Sequence, residues 1–407
     1  MSTISAAEYN QTQQSYVDDG IKRAATLANR GPIKFEQDGT LAQEICDAYW
    51  RTGFYVFENL VDDDEIRLLQ DNAQMLLDLA PTDNGAITDR HGRPAFGQEF
   101  AIPVYSLIRP LSDPWGGTDK LNGRHPTQMT QPTFDGPTSE KVVFAMTGMC
   151  QIMDAGLRLY GHPALLAIAA SINGDDFVPY TEVVFVKQPG VGGSVSWHQD
   201  GVTHWNSPDW DEGIHGFNLQ VQLYDTSAHS CLWVVPGSHK QGRIDIKKLV
   251  AETGSERLAE AVPLYAKAGD VTIVNRQALH GSFANTSKDQ RVSLTIGFHR
   301  KASVLGACGS LATAADAHYD EQRIHERSQV IGIAIDARAQ RYPDEQRFVY
   351  QPLVGREAEL RSQTSPCATR RRTACSPSGR NGRGQCYLLR GGLHSLQRQR
   401  FQTLPAP

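Results

Sequence analysis

The chain has 407 residues, of which 40% are hydrophobic and 21% charged, with a formal net charge of −5. These are ordinary values for a soluble globular enzyme. No apolar run approaches the roughly 20 residues that a membrane helix requires, and the first ten residues hold no basic segment followed by an apolar stretch, so no secretory leader is expected.

Seven cysteines, at 46, 150, 231, 308, 367, 375 and 386, follow no pairing pattern. They read as reduced thiols of a cytoplasmic protein. The charge is unevenly spread. Residues 361–407 carry nine Arg and no Lys, Asp or Glu, which leaves residues 1–360 at −14. So acidic a body argues against nucleic acid as a partner, and no membrane partner is expected. Oligomeric state is not legible.

In chain order, residues 1–40 are polar, with one short amphipathic piece at 17–28, and read as an N-terminal extension. Helical spacing over 41–50 is followed by an extended run at 53–60. Four acids, Asp62 to Glu65, then stand where a helix N-terminus favours them, opening a helix over 66–79. Residues 82–140 are rich in Gly, Pro, Asp and Thr and read as long loops, a usual location for substrate-binding segments. Helices are expected at 146–159 and 164–170. From 176 to about 300 the pattern changes to short β-rich runs, at 181–187, 195–198, 217–224, 232–235, 270–275 and 292–298, with turn signals between them. That spacing predicts a β-sandwich or barrel. Helix and loop return over 318–360. The arginine-rich end, 361–407, has the composition of a disordered tail. The chain therefore divides into 1–40, a single domain over 41–360, and the tail.

Within the β-rich region, residues 190–201 contain His198 and Asp200. Side chains at i and i+2 of a strand share a face, so both can reach one metal ion. With one further His they form a facial triad, the set that holds iron(II) with three positions open. The pair alone is weak, because 13 His and 45 acids in 407 residues supply about one such spacing by chance, and His318 and Asp320 repeat it. Only the first pair has a suitable downstream partner. His280 follows a predicted strand 82 residues later, and Arg291 opens another strand eleven residues after that. 2-Oxoglutarate chelates iron through its C1 carboxylate and keto oxygen, and its C5 carboxylate needs a charged two-pronged partner. The Arg291 guanidinium supplies that geometry, and the Ser282 hydroxyl can join it. His325 lies too close to the second pair, and His394 falls in the tail.

Together, His198-x-Asp200, Cys231-Leu-Trp233-Val-Val-Pro236-Gly237-Ser238-His239, Gly269-Asp270 and His280-x-Ser282-x8-Arg291 resemble the phytanoyl-CoA dioxygenase family. Phe185-Val-Lys187-Gln-Pro189 is similar too. The likeness covers roughly residues 45–300. It implies a mainly β protein with a double-stranded β-helix (jelly-roll) core and flanking helices. It also implies iron(II), 2-oxoglutarate and O2 as cofactor and cosubstrates, and the Trp233 ring beside the cosubstrate. Residues around the metal motif, Trp197, Trp205, Gln220 and Gln222, are expected to line a substrate pocket.

The expected activity is hydroxylation of a small-molecule metabolite, with 2-oxoglutarate decarboxylated to succinate. Asp200 fills the position that a halide would need, which excludes halogenation. The acidic body, and Asp209, Asp211 and Glu212 just after the metal motif, favour a small neutral or cationic substrate over a coenzyme A thioester. Two rival readings are a jelly-roll binding protein without turnover and a zinc-dependent hydrolase using the same three ligands.

Overall fold

In a computed structural model, residues 4–137, 140–200, 216–307 and 318–356 are described. Residues 201–215, which include Trp205, and the arginine-rich end of the chain lie outside them. No described helix is long and apolar enough to cross a membrane.

Among the described residues, twelve strands form two sheets. The larger runs in the order β1(Arg30–Gly31), β2(Phe54–Phe57), β10(Val271–Asn275), β7(Gly216–Gln222), β12(Arg291–His299), β5(Val178–Lys187), β4(Val142–Thr147) and β3(Tyr105–Ile108). The smaller runs β6(Val195–His198), β11(His280–Ser282), β8(Leu232–Val234), β9(Val262–Leu264). Every pairing except β1 with β2 is antiparallel. The two sheets line opposite sides of one cavity, giving a jelly roll with helices outside it, as the sequence predicts.

Strand periodicity explains which face looks where. On β7 and β12, Phe217, Leu219, Val221, Leu294, Ile296 and Phe298 belong to the main apolar core. That core packs the large sheet against helices α2(Gln43–Thr52), α3(Asp63–Asp78), α5(Asp154–Tyr160), α6(Pro163–Asn173) and α9(Glu321–Arg341). The alternate residues, Asn218, Gln220, Arg291 and Thr295, are left facing the cavity. Period-2 alternation thus makes one sheet both core wall and pocket wall. Behind the small sheet a second core holds Trp197, Trp233 and Phe283, closed by Val17 and Tyr16 of α1(Ala6–Ala25). Residues 1–40 are therefore built into the fold through α1, whose Tyr16 ring stacks on Trp233 at 4.7 Å.

Two expectations need correction. The helix expected over 146–159 is broken: its first two residues end β4, and two short helices, α4(Met149–Ile152) and α5, follow. Val142 to Met146 is a buried apolar run, which periodicity alone does not separate from a helix. The long loops of 82–140 also contain β3, whose Tyr105 pairs with Met146.

The second His-x-Asp pair has a structural role. Asp320 caps α9 by accepting the Arg323 backbone N–H at 2.7 Å, and His318 is exposed. Farther along α9, buried Arg338 bonds Glu65 of α3 at 2.7 Å and Glu345 at 2.6 Å. Removing one member of such a network leaves an uncompensated buried charge. Arg338→Ala is expected to lower unfolding free energy by about 3–5 kcal/mol in a urea titration, and a loss below about 1 kcal/mol would match a surface pair instead.

Candidate metal centre and its cavity

His198 and His280 are direct cross-strand partners between β6 and β11. Antiparallel neighbours in register bring their side chains within a few ångströms, and the two imidazole centroids lie 4.1 Å apart. Beyond β6 the chain stays tied down, because the Asp200 N–H donates to the Arg276 carbonyl at 2.7 Å. The Asp200 carboxylate then meets both rings, with Oδ1 3.5 Å from His198 Nε2 and Oδ2 3.6 Å from His280 Nε2. Among the described residues this is the group of His, Cys and acidic side chains placed to hold a metal ion.

The tautomers follow from backbone contacts. His198 Nδ1 lies 2.8 Å from the Ser196 carbonyl, and His280 Nδ1 lies 2.8 Å from the Ala278 carbonyl. A carbonyl only accepts, so each Nδ1 carries the proton and each Nε2 turns a lone pair toward Asp200. Burial lowers the His280 pKa to about 3, the neighbouring His198 working in the same direction. Asp200 is held well below the usual carboxylate range: Arg124 and Arg276 outweigh the opposing effect of its burial. With both rings neutral, two lone pairs and one carboxylate converge, the donor set that a divalent transition metal requires.

Around Asp200 lies a polar cradle. Arg124 Nη1 donates to its Oδ1 at 2.7 Å, and Asn218 Nδ2 donates to its Oδ2. The Asn218 amide oxygen accepts in turn from Arg276, whose guanidinium lies over the Tyr180 ring at 4.5 Å. Gly297 on β12 makes room for this group, since a Cβ there would stand 3.1 Å from Arg276 Nη1, Asn218 Oδ1 and Thr181 Oγ1. His125 packs on His198 with centroids 4.1 Å apart and shares the Ser196 carbonyl at 3.1 Å. Burial holds its pKa far below the ordinary histidine value.

Arg291 lines the same cavity and is only 3% exposed. It makes two long hydrogen bonds, to the Ser230 carbonyl at 3.4 Å and to Gln220 Oε1 at 3.3 Å, and its Nε is buried without a partner. No described carboxylate pairs with it, and burial lowers its pKa to about 10. An unmatched buried guanidinium is costly, so this geometry favours an incoming anion. Ser282 lies on the same cavity wall. So does Lys187, opposite Arg291 in the β5–β12 register, with its Nζ donating to the Phe283 carbonyl at 2.5 Å. Burial and Arg291 together lower the Lys187 pKa well below its ordinary value.

The structure brings together His198, Asp200, His280, Arg291, Ser282 and Gln220, and it separates three other expected residues from the cavity. Trp233 and Trp197 are both fully buried in the second core. Trp233 donates to the Ala228 carbonyl, and Trp197 to the Glu256 carbonyl. Large aromatics on the outer face of the small sheet serve as its hydrophobic core. Gln222 is buried but does not line the cavity. Trp205 falls outside the described residues. His239, from the same motif as Trp233, contacts the Trp50 carbonyl at 3.1 Å. Asp270 accepts backbone N–H groups of Asn59 and Lys267, each at 2.8 Å, and so shapes its turn. Sequence reasoning missed Trp115, His125 and Arg276.

Residues 49–293 match the phytanoyl-CoA dioxygenase family. The chain is 34% identical over 121 residues to Phytanoyl-CoA dioxygenase 1 of Oryza sativa subsp. japonica, covering 27% of this chain and 40% of that protein. It is 24% identical over 268 residues to Phytanoyl-CoA dioxygenase of Arabidopsis thaliana, covering 62% of this chain and 87% of that protein. Among solved structures, apo EctD from S. alaskensis is 18% identical with a TM-score of 0.48, covering 72% of this chain and 91% of its own.

Two measurements check this geometry. In metal-free protein, 15N-labelled His280 is expected to stay neutral down to about pH 3, because burial penalises the imidazolium. Titration near the ordinary histidine value of about 6.5 would contradict a dry site. Trp233→Ala is expected to cost about 3–5 kcal/mol of stability and to leave 2-oxoglutarate affinity unchanged. A weakened affinity with intact stability would return Trp233 to the cavity wall.

Proposed function

Because the chain belongs to the phytanoyl-CoA dioxygenase family, we propose that it is an iron(II)- and 2-oxoglutarate-dependent oxygenase that hydroxylates a small molecule. The observation that carries this reading is a pairing within one cavity. Three proton-free ligand atoms converge at one place, and a buried guanidinium without a carboxylate partner stands at another. A zinc hydrolase or a passive binding barrel accounts for the first feature and leaves the second unexplained.

In this reading His198, Asp200 and His280 hold iron(II) through Nε2, a carboxylate oxygen and Nε2. The tethered Nδ1 protons keep both rings aimed, which is the usual service of outer hydrogen bonds to metal-ligating histidines. Arg124 and Asn218 hold the Asp200 carboxylate in place. Arg291 and Ser282 receive the C5 carboxylate of 2-oxoglutarate, with Lys187 beside them. Bound iron supplies the redox chemistry by which O2 and 2-oxoglutarate are converted to succinate, CO2 and an oxidised C–H bond. The protein supplies position, charge balance and exclusion of water.

Purified protein given iron(II), ascorbate and 2-oxoglutarate is expected to release succinate, and His280→Ala to lose that release. A His280→Ala protein that binds iron and turns over like wild type would refute the triad. Arg291→Gln is expected to raise the KM for 2-oxoglutarate by about 30-fold or more, since losing a buried charge pair costs about 2–5 kcal/mol. An unchanged KM would remove Arg291 from the cosubstrate site.

A further inference from the structure

The acid-rich segment that suggested a neutral or cationic substrate lies outside the described residues. The cavity walls themselves carry the opposite charge. Among the described residues lining it, Asp200 is the sole acid, against Arg124, Arg276, Arg291 and Lys187. Burial drives Lys187 toward its neutral form, which leaves three guanidiniums facing one carboxylate. Iron(II) and the 2-oxoglutarate dianion cancel each other's charge, so loading the site does not remove the excess. A cationic guest would be repelled by a surface of this sign, and an anionic one selected.

Arg124 is the guanidinium placed to meet such a guest. Its Nη1 is spent on Asp200 at 2.7 Å and its Nε donates to His125 Nε2 at 3.3 Å, while Nη2 has no hydrogen-bond partner among the described residues. The loop that carries it is pinned. Asp113 accepts the backbone N–H groups of Gly116 and Met129, each at 2.9 Å, and the Ser196 hydroxyl reaches it from β6 at 3.5 Å. Beside Arg124 the cavity turns apolar. Trp115 meets the Phe144 ring edge-on at 4.9 Å and Phe185 at 6.4 Å, and all three line the cavity. The Arg124 side chain is only 12% exposed. Its partner must therefore be a small group that enters the site, which the phosphates of a coenzyme left at the mouth would not do.

We propose that the substrate is a small free carboxylic acid with an apolar body, its carboxylate received by Arg124 and its body seated against Trp115, Phe144 and Phe185. This rests on the oxygenase reading of the same cavity.

The test is calorimetric titration of anaerobic wild-type protein, saturated with iron(II) and 2-oxoglutarate, using 3-phenylpropanoate, 3-phenylpropanamide, 3-phenylpropylamine and the coenzyme A thioester of the acid. The acid is expected to bind about tenfold or more tighter than the other three. An amide, amine or thioester that binds as tightly as the acid overturns the inference. In Arg124→Gln the ratio of acid to amide affinity should fall toward one, and in Arg124→Lys it should partly return. A full acid preference in Arg124→Gln overturns the assignment to Arg124. Because Arg124 also holds Asp200, the wild-type comparison decides the substrate class on its own if the variants misfold. Succinate release without added acid separates the two levels. A protein that releases succinate but lacks acid preference defeats this inference alone, and one that prefers the acid but never releases succinate defeats the oxygenase reading.

Discussion

The site depends on one register. His198 and His280 stand directly opposite each other on antiparallel strands, and the face they share is fixed by the pleat. A slip of one residue would turn either ring into the core behind the small sheet. That register is guarded on the other face by the buried Trp197 and Trp233. The geometry of the two imidazoles is thus held by hydrophobic packing on the opposite face of the sheet.

Electrostatics builds on that frame. Burial alone would neutralise Asp200, so its anionic form depends on Arg124, Asn218 and Arg276 gathered around it. The same burial, with His198 working in the same direction, keeps His280 neutral. One dry environment thereby prepares imidazole ligands by desolvation and a carboxylate ligand by counter-charge. Arg291 receives no such counter-charge within the described fold, and the cosubstrate carboxylate would supply it.

Much of this was legible in the sequence for identifiable reasons. Strand boundaries over 195–198 and 271–275 came through because β-branched and aromatic runs end at clear turn residues. The gathering of His198, Asp200, His280 and Arg291 at one cavity was legible because spacing along neighbouring strands maps directly onto a shared face. The polar stripe of β7 faces the cavity through Asn218 and Gln220 because Phe217, Leu219 and Val221 pack under the helices. Trp233 misled because an aromatic beside a site motif reads alike whether it faces the cavity or the core. Arg124 and Trp115 reach the site from an irregular loop, where no periodicity links sequence position to spatial direction. The substrate preference drawn from net charge has a similar weakness: charge summed over the body says little about the few side chains that line a cavity.

The central claim is that one cavity binds iron(II) and 2-oxoglutarate together through His198, Asp200, His280 and Arg291. Anaerobic titration of the iron(II)-loaded protein with 2-oxoglutarate, followed by visible absorption, tests it most directly. The account predicts a weak charge-transfer band that saturates at one equivalent and is missing in His280→Ala. Wild-type protein that binds iron(II) and yields no band on addition of 2-oxoglutarate would contradict it.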